Sequence, residues 1–368
     1  MAAVPVPGLT ILAHPDPQRI GERLPLPVLA LGRSVSLSRL EPAFRRRGQG
    51  DAKAALPLAV RTLSRKPLRL VGETSGAVTV DVQDTSTGVV VDGTPVQGRR
   101  TFGPEEIQRG VGLVLGRRVA LLLHPMLTPP GADTPKCGLV GDSDSMMGLR
   151  HEILRLAPLK VPVLLRGESG TGKELAARAL HDQSPRSNQP FVVVNMATLN
   201  PTLAAAELFG AVRGAFTGAD RKRPGLFQAA RHGTLFLDEI GETPVEVQAM
   251  LLRALESEEI LPVGGIEPEG IEVRVIAATD LRLEEAMEGG RFRAPLYHRL
   301  AGYTLHLPPL RERLDDLGQL LQVFLEREIA AFREEAVGAN GSVSVPQTPY
   351  PSAEIVARLV RHPWPGNV

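Results

Sequence analysis

At 368 residues the chain has room for two to three domains of roughly 150 residues each, enough to bury a sizeable core without a disulfide or metal staple. Hydrophobic content of 43% and charged content of 23%, with 37 Gly and 32 Pro, are those of a folded chain; the one cysteine, Cys137, excludes an internal disulfide and a cysteine zinc cluster and fits a reducing, cytoplasmic compartment. The net charge of +1 divides into +7 over residues 1–130 and −6 over the rest, so a basic first third, more often only a solvated surface than a binding face, precedes an acidic remainder.

The N-terminus, MAAVPVPGLTILAHPDP, has no basic region followed by a long apolar run, and the apolar stretch VGLVLGRRVALLL (111–123) is broken by Arg117 and Arg118. Neither a secretory signal nor a membrane span is expected. The segments VLALGRSVSL (28–37), LRLVGE (68–73), AVTVDV (77–82), GVVVDGTPV (88–96) and 111–123 are short β-branched runs between turn residues, and they predict an all-β sandwich over residues 1–123. Within it Asp92-Gly93 reads as a hairpin turn and FRRRGQGDAK (44–53) as an exposed loop. The stretch HPMLTPPGADTPKC (124–137) is Pro-rich and reads as a stiff interdomain linker.

From residue 138 the pattern changes. VPVLLRG (161–167), FVVVNM (191–196), TLFLDEI (234–240), VRVIAATD (273–280) and YTLHL (303–307) are near-continuous apolar runs alternating with helical stretches such as 173–181 and 245–256. That alternation predicts an α/β core over 138–309 with a parallel sheet covered on both faces. After Pro309 the pattern turns helical, is interrupted over 338–352 and resumes over 353–361, which predicts a small helical lid over 310–368.

The string Gly167-Glu168-Ser169-Gly170-Thr171-Gly172-Lys173-Glu174 follows one apolar strand and opens a helix, the context that makes a Gly-rich string a phosphate-binding loop. Its glycines let backbone N–H groups turn inward, the helix N-terminus favours an anion, and Lys173 can reach the β- and γ-phosphates of ATP. Glu174 stands where many such loops place Ser or Thr on Mg2+, so the metal must rely on water and on acids elsewhere. Asp238 and Glu239, at the end of TLFLDEI, would face the same crevice beyond the strand ends, Asp238 holding Mg2+ and Glu239 orienting the attacking water.

Between these elements lies AELFGAVRGAFTGADRKRPGLFQAARHGTLFLDE (206–239), with the hexapeptide Gly214-Ala215-Phe216-Thr217-Gly218-Ala219. On these residues the chain from about Gly138 onward resembles the central AAA+ P-loop ATPase domain of the sigma-54-dependent bacterial enhancer-binding proteins. The resemblance implies that the hexapeptide loop rises on ATP binding and presses on sigma-54 in the stalled RNA polymerase through Phe216 and Thr217. It implies further that Asn195 couples γ-phosphate sensing to Glu239, that Thr279 belongs to the first sensor, and that Val140 and Gly141 line the adenine pocket. Arg293 and Arg299 match arginine fingers acting on a neighbouring subunit's ATP, which requires a ring of six or seven copies. The sequence departs from the family at Asp280, where asparagine is usual, and at Pro295, where an acid is usual. In the family HPWPGNV (362–368) continues with an arginine, the second nucleotide sensor, and commonly a helix-turn-helix; DNA binding has no visible element in this sequence.

Residues 1–123 resemble, more faintly, a forkhead-associated phosphothreonine-binding sandwich, on Leu31-Gly32-Arg33-Ser34, SRKP (64–67), which Ser64 begins, and DTSTGVVVDGTPVQG (84–98). The resemblance implies that Arg33 and Ser64 hold the phosphate, although Pro67 replaces a structural histidine and Thr87 or Gly88 an asparagine. The whole therefore reads as a sigma-54-dependent transcriptional regulator gated by a phosphothreonine-recognition domain. The alternative is a weakly hydrolysing phosphopeptide-binding scaffold with a nucleotide-gated oligomerisation domain.

Overall fold

Val4–Ala13 (β1) is a ten-residue strand that the periodicity of the N-terminus does not reveal, because Pro5 and Pro7 interrupt its pattern. It pairs along its length with Val119–Thr128 (β10), while Arg23–Pro25 (β2) joins its other edge only at Gly8–Thr10. The prolines thus sit where β1 lacks a second ladder and a missing donor does least harm. The computed structural model describes residues 4–47, 55–128, 134–215, 221–338 and 350–368.

The remaining strands of this region are Ser34–Leu37 (β3), Leu68–Gly72 (β4), Val78–Asp81 (β5), Val89–Val91 (β6), Thr94–Pro95 (β7), Arg99–Phe102 (β8) and Val111–Leu115 (β9), with one short helix, Pro104–Arg109 (α1). They form two antiparallel sheets, ordered β2-β1-β10-β9-β6-β7 and β3-β4-β5-β8. Ile11 and Leu121 of the first and Leu70 and Val80 of the second meet in one core with none of their surface exposed. Asp92 and Gly93 both take positive φ, 57° and 76°, between β6 and β7, the geometry of a type I′ hairpin turn.

Three expectations change here. Residues 27–31 form a 3-10 turn ended by Gly32 at φ 71°, so only Ser34–Leu37 of the first expected run is a strand. Phe44, at the start of the expected exposed loop, is 1% exposed in the core and bridges Leu56, whereas 48–53 lie outside the described residues. β10 continues through His124 to Thr128 because it pairs with Val4, so the first five residues of the expected linker are strand; 129–133 lie outside the described residues.

In chain order there follow Asp144–Leu156 (α2), Val163–Arg166 (β11), Lys173–Asp182 (α3), Phe191–Asn195 (β12), Ala204–Phe209 (α4), Leu226–Ala229 (α5), Thr234–Asp238 (β13) and Val245–Ser257 (α6). The minor pair Glu259–Ile260 (β14) and Glu269–Gly270 (β15) precedes Arg274–Thr279 (β16), Leu283–Glu288 (α7), Ala294–Leu300 (α8), Tyr303–His306 (β17), Leu317–Gly338 (α9) and Ala353–Leu359 (α10). Strands β12-β13-β16-β11-β17 make one parallel sheet in that order. Leu164, Leu235, Leu237 and Ala277 are fully buried within it, as a sheet with helices on both faces requires.

The chain divides into two units, Met1–Pro135 with Val140–Met147 and Leu310–Pro365, and Lys136–Leu139 with Gly148–Pro309 and Gly366–Val368. The helices after Pro309 therefore share a unit with the antiparallel sheets, where the sequence suggested an appendage of the α/β core. Their joint core runs from Leu12, Val114 and Leu122 on the outer face of the β1-β10-β9 sheet to Leu314, Leu317 and Val356 on the helices. Close backbone approach fixes the packing: a Cβ on Gly318 would overlap the Leu12 carbonyl oxygen, and Tyr350 donates its hydroxyl to that same oxygen at 2.7 Å and to Gly318 O at 3.1 Å. Beside it, the fully buried Asp316 carboxylate accepts from Asp142 N at 2.6 Å, Ser143 N at 2.7 Å and Ser143 Oγ at 2.6 Å, replacing the water that these groups lose. No helix among the described residues is long and apolar enough to cross a membrane.

Candidate active site

The parallel register brings four strand ends to one edge of the sheet: Asn195 lies opposite Asp238, and Arg166 opposite Thr279. Gly167 continues from β11 and its N–H donates to Thr279 O at 3.3 Å, which fixes the start of the phosphate loop to β16. Gly170 and Gly172 adopt φ of 75° and 97°, conformations that favour glycine, and α3 begins at Lys173. The loop is held in shape by Thr171, whose Oγ1 donates to Glu168 O at 2.7 Å.

Lys173 is 7% exposed, with its Nζ 3.0 Å from Gly167 O and 3.9 Å from Glu239 Oε1. The lysine predicted for the phosphates and the glutamate predicted for the water, 66 positions apart, therefore converge on one point. Glu239 takes φ 50°, an unusual conformation for a non-glycine residue, and its N–H donates to Asp238 Oδ1 at 3.1 Å. Burial pushes its carboxyl above the ordinary value of 4.5; Lys173 opposes the shift, while the charge of Asp280, that of Asp238 and a hydrogen bond with Asp280 add to it. Asp280 is thus a direct neighbour of Glu239. The negative charge of Asp280 works against ionisation of Glu239, where an asparagine would add no charge and could donate.

Asn195 uses its Oδ1 to accept Ala197 N at 2.9 Å, capping a short 3-10 turn, and Thr279 Oγ1 accepts Leu281 N at 3.0 Å. Arg293 caps the start of α8 and Arg299 lies in its last turn; both are exposed. Arg299 donates to Leu255 O through Nε at 2.9 Å and Nη2 at 2.7 Å, so this finger candidate rests on its own subunit's α6. Val140 and Gly141 belong to the other unit, where Val140 packs on the core of the C-terminal helices and Gly141, at φ 118°, abuts the Asp316 carboxylate. Of the hexapeptide, Gly214 and Ala215 are described, and Phe216, Thr217, Gly218 and Ala219 lie outside the described residues. The base of that loop is pinned by the Ala211–Arg223 bridge, by Val212 N donating to Val263 O at 3.1 Å, and by a turn through Gly264.

Several residues of the site are not singled out by the sequence. Gln248, fully buried on α6, accepts Arg293 N at 2.8 Å and donates to Arg291 O at 2.9 Å, anchoring the segment that leads into α8; an amide inside the apolar stripe of α6 is a legible signal for such an anchor. Arg166 binds Glu284 through both guanidinium nitrogens, at 2.6 and 2.8 Å, and that hydrogen bonding holds the glutamate down to about 2. Asn367, 5% exposed, reaches Glu168 and Ser169 of the phosphate loop, a contact across nearly 200 residues that no local pattern encodes.

In the first unit, Ser64 lines a cavity with Arg39, Arg65, Lys66 and Ser86, and Arg33 is not among its lining residues. Ser64 N donates to Thr87 Oγ1 at 2.8 Å, and its Oγ accepts Lys66 N at 3.0 Å.

A parallel sheet with a phosphate loop after β11 and an acid pair ending β13 defines a P-loop ATPase. Residues 139–306 match the Sigma-54 interaction domain family, and this portion of the chain is an AAA+ ATPase. The chain is 44% identical to the regulatory protein LuxO of Vibrio cholerae over 230 residues, 62% of this chain and 41% of that protein. It is 45% identical to the DNA-binding transcriptional regulator NtrC of Escherichia coli over 234 residues, 64% of this chain and 47% of that one. Crystal structures of NtrX from Brucella abortus, in complex with ADP and with ATP, are 37% identical with TM-scores of 0.53 and 0.52, covering 62% of this chain and 47% of theirs. The chain spans about half the length of the curated relatives it matches.

Proposed function

We propose that the protein is a sigma-54-dependent transcriptional regulator in which ATP hydrolysis drives the Gly214–Ala219 loop against the sigma-54 RNA polymerase holoenzyme. Lys173 and the loop N–H groups bind the phosphates, Glu239 orients and polarises the attacking water, and Asn195 and Thr279 supply polar groups at the γ-phosphate end. Mg2+, which takes most of its ligands from water and phosphate oxygens, fits a site that offers the Asp238 carboxylate; no cluster of three or more metal-ligating side chains occurs among the described residues, and none is needed. Arg293 and Arg299 serve a neighbouring subunit's nucleotide in a ring of six or seven copies, Arg299 after releasing Leu255 O.

The observation that carries this reading is an ATPase core in which the chain flanking the hexapeptide is hydrogen-bonded, Ala211 on Arg223 and Val212 on Val263, while the hexapeptide itself is in sequence a run of small residues around one aromatic. Such flanking bonds can transmit force, and small residues supply little apolar surface for a core of their own. The N-terminal unit is read as a forkhead-associated-type phosphothreonine reader, supported by its two antiparallel sheets and by the cation-lined cavity beside Ser64. Arg39, Arg65 and Lys66 rather than Arg33 are its best phosphate ligands. The shared core of β1-β10-β9 with α9 and α10 gives that reader a rigid route to the lid.

The test is Phe216→Ala in the full chain. ATP turnover is expected to persist while capture of sigma-54 in the presence of an ATP transition-state analogue is lost; capture equal to wild type contradicts the proposal.

A further inference from the structure

The last three residues of the chain lie against the phosphate loop. Asn367 Nδ2 donates to Ser169 O at 3.0 Å and to Glu168 Oε2 at 3.1 Å, and Val368 N donates to Gly170 O at 3.3 Å. The fit at Gly170 leaves no room for a side chain, since a Cβ there would overlap the Gly366 carbonyl oxygen. The loop thus meets protein at the carbonyls of Ser169 and Gly170.

Peptide geometry gives these contacts a consequence. In a trans peptide the C=O and the following N–H point in opposite directions. With the carbonyls of Ser169 and Gly170 accepting from Asn367 and Val368, the N–H groups of Gly170 and Thr171 in the same planes point away from this segment, the orientation that an anion on the opposite face needs. Thr171 N donates to Glu168 O at a long 3.3 Å, a bond that a phosphate oxygen would replace. The second bond of Asn367 acts on charge. Glu168 brings a carboxylate into an anion-binding loop, and the amide holds that carboxylate on its own side.

We propose that Gly366–Val368 is a strap that sets the phosphate loop in its anion-receiving shape, with Asn367 as its positioning residue. The proposal rests on the loop being a nucleotide site. Asn367 itself sits at φ 56°, so alanine would add backbone strain to the loss of the amide, whereas glycine and aspartate tolerate that conformation.

The experiment compares wild type with Asn367→Gly and Asn367→Asp in the full chain, by titration with a fluorescent ADP, ATPase kinetics and ligand-free thermal melting. Asn367→Gly is expected to weaken ADP binding about tenfold and raise KM for ATP alike, with kcat held within about twofold and the ligand-free melt unchanged. Asn367→Asp, isosteric but unable to donate and facing Glu168, is expected to weaken ADP binding at least as much. Binding by both variants within about twofold of wild type overturns the strap. So does a fall in kcat and melting temperature that parallels the loss of affinity, which would mark Asn367 as part of the general fold. A wild-type protein that binds no ADP overturns the nucleotide site itself, and the strap with it.

Discussion

The two units earn their order differently. In the ATPase core each chemical group sits at the end of a strand or the start of a helix, and parallel register carries Asn195, Asp238, Thr279 and Gly167 to one edge of the sheet. In the other unit the decisive contacts join residues some 300 positions apart, Leu12 with Gly318 and Tyr350, and they are made by backbone approach and apolar fit. A site of local motifs survives as a readable string, whereas a packing face has no string to read.

The sharpest way to break this division is to disable one unit and watch the other. Glu239→Gln keeps the side-chain volume and removes the carboxylate, so turnover is expected to fall by roughly 10²- to 10⁴-fold while ADP affinity stays within about twofold, as read by phosphate release and fluorescent-nucleotide titration. Leu122→Ala should cost about 2–5 kcal/mol in urea unfolding of the first unit, since it empties a fully buried position between sheet and helices, and ADP affinity should hold. A matching loss of ADP affinity would show that the two units do not fail separately. Gly318→Val drives a side chain into the Leu12 carbonyl and should cost about 1–3 kcal/mol in the same assay.

A pH profile tests the site at finer scale. If Glu239 activates water as proposed it must be ionised, and its raised pKa then means that ATPase activity falls away on acidification at a higher pH than the ordinary value of 4.5 would give. Asp280→Asn removes one negative neighbour and offers a donor, so the acid limb should move to lower pH. By linkage, a raised carboxyl pKa gives stability that is present below 4.5 and lost as pH rises through the folded value, so the same variant should be more stable than wild type at neutral pH without ligand. The smallest effect belongs to Arg117→Ala, which removes an exposed pair with Glu354 at 3.2 Å and should change unfolding free energy by less than about 1 kcal/mol.

How far sequence reading reaches can be traced on particular residues. All five parallel strands follow from near-continuous apolar runs, and the meeting of Lys173 with Glu239 is foreshadowed by motif and spacing, because strand, turn and helix each have a local signature. β1 escaped it because two prolines mask its alternation, and the long reach of β10 because only pairing with Val4 makes a strand of its last residues. Arg299 shows the limit from the other side: its identity is legible, but its resting place on Leu255 O is set by the C-terminal end of α6.

The sequence by itself determined an α/β phosphate-binding core, its lysine and acids, and a β-rich region before it, since propensity, periodicity and turn chemistry act over a few residues. Tertiary structure alone decided that the charge of Asp280 falls beside Glu239, that the helices after Pro309 share a core with the antiparallel sheets, and that Asn367 meets the phosphate loop. Each of these depends on complementary shape and unpaired hydrogen-bonding groups meeting across long stretches of chain. Their cost or gain exists only once the partner has arrived.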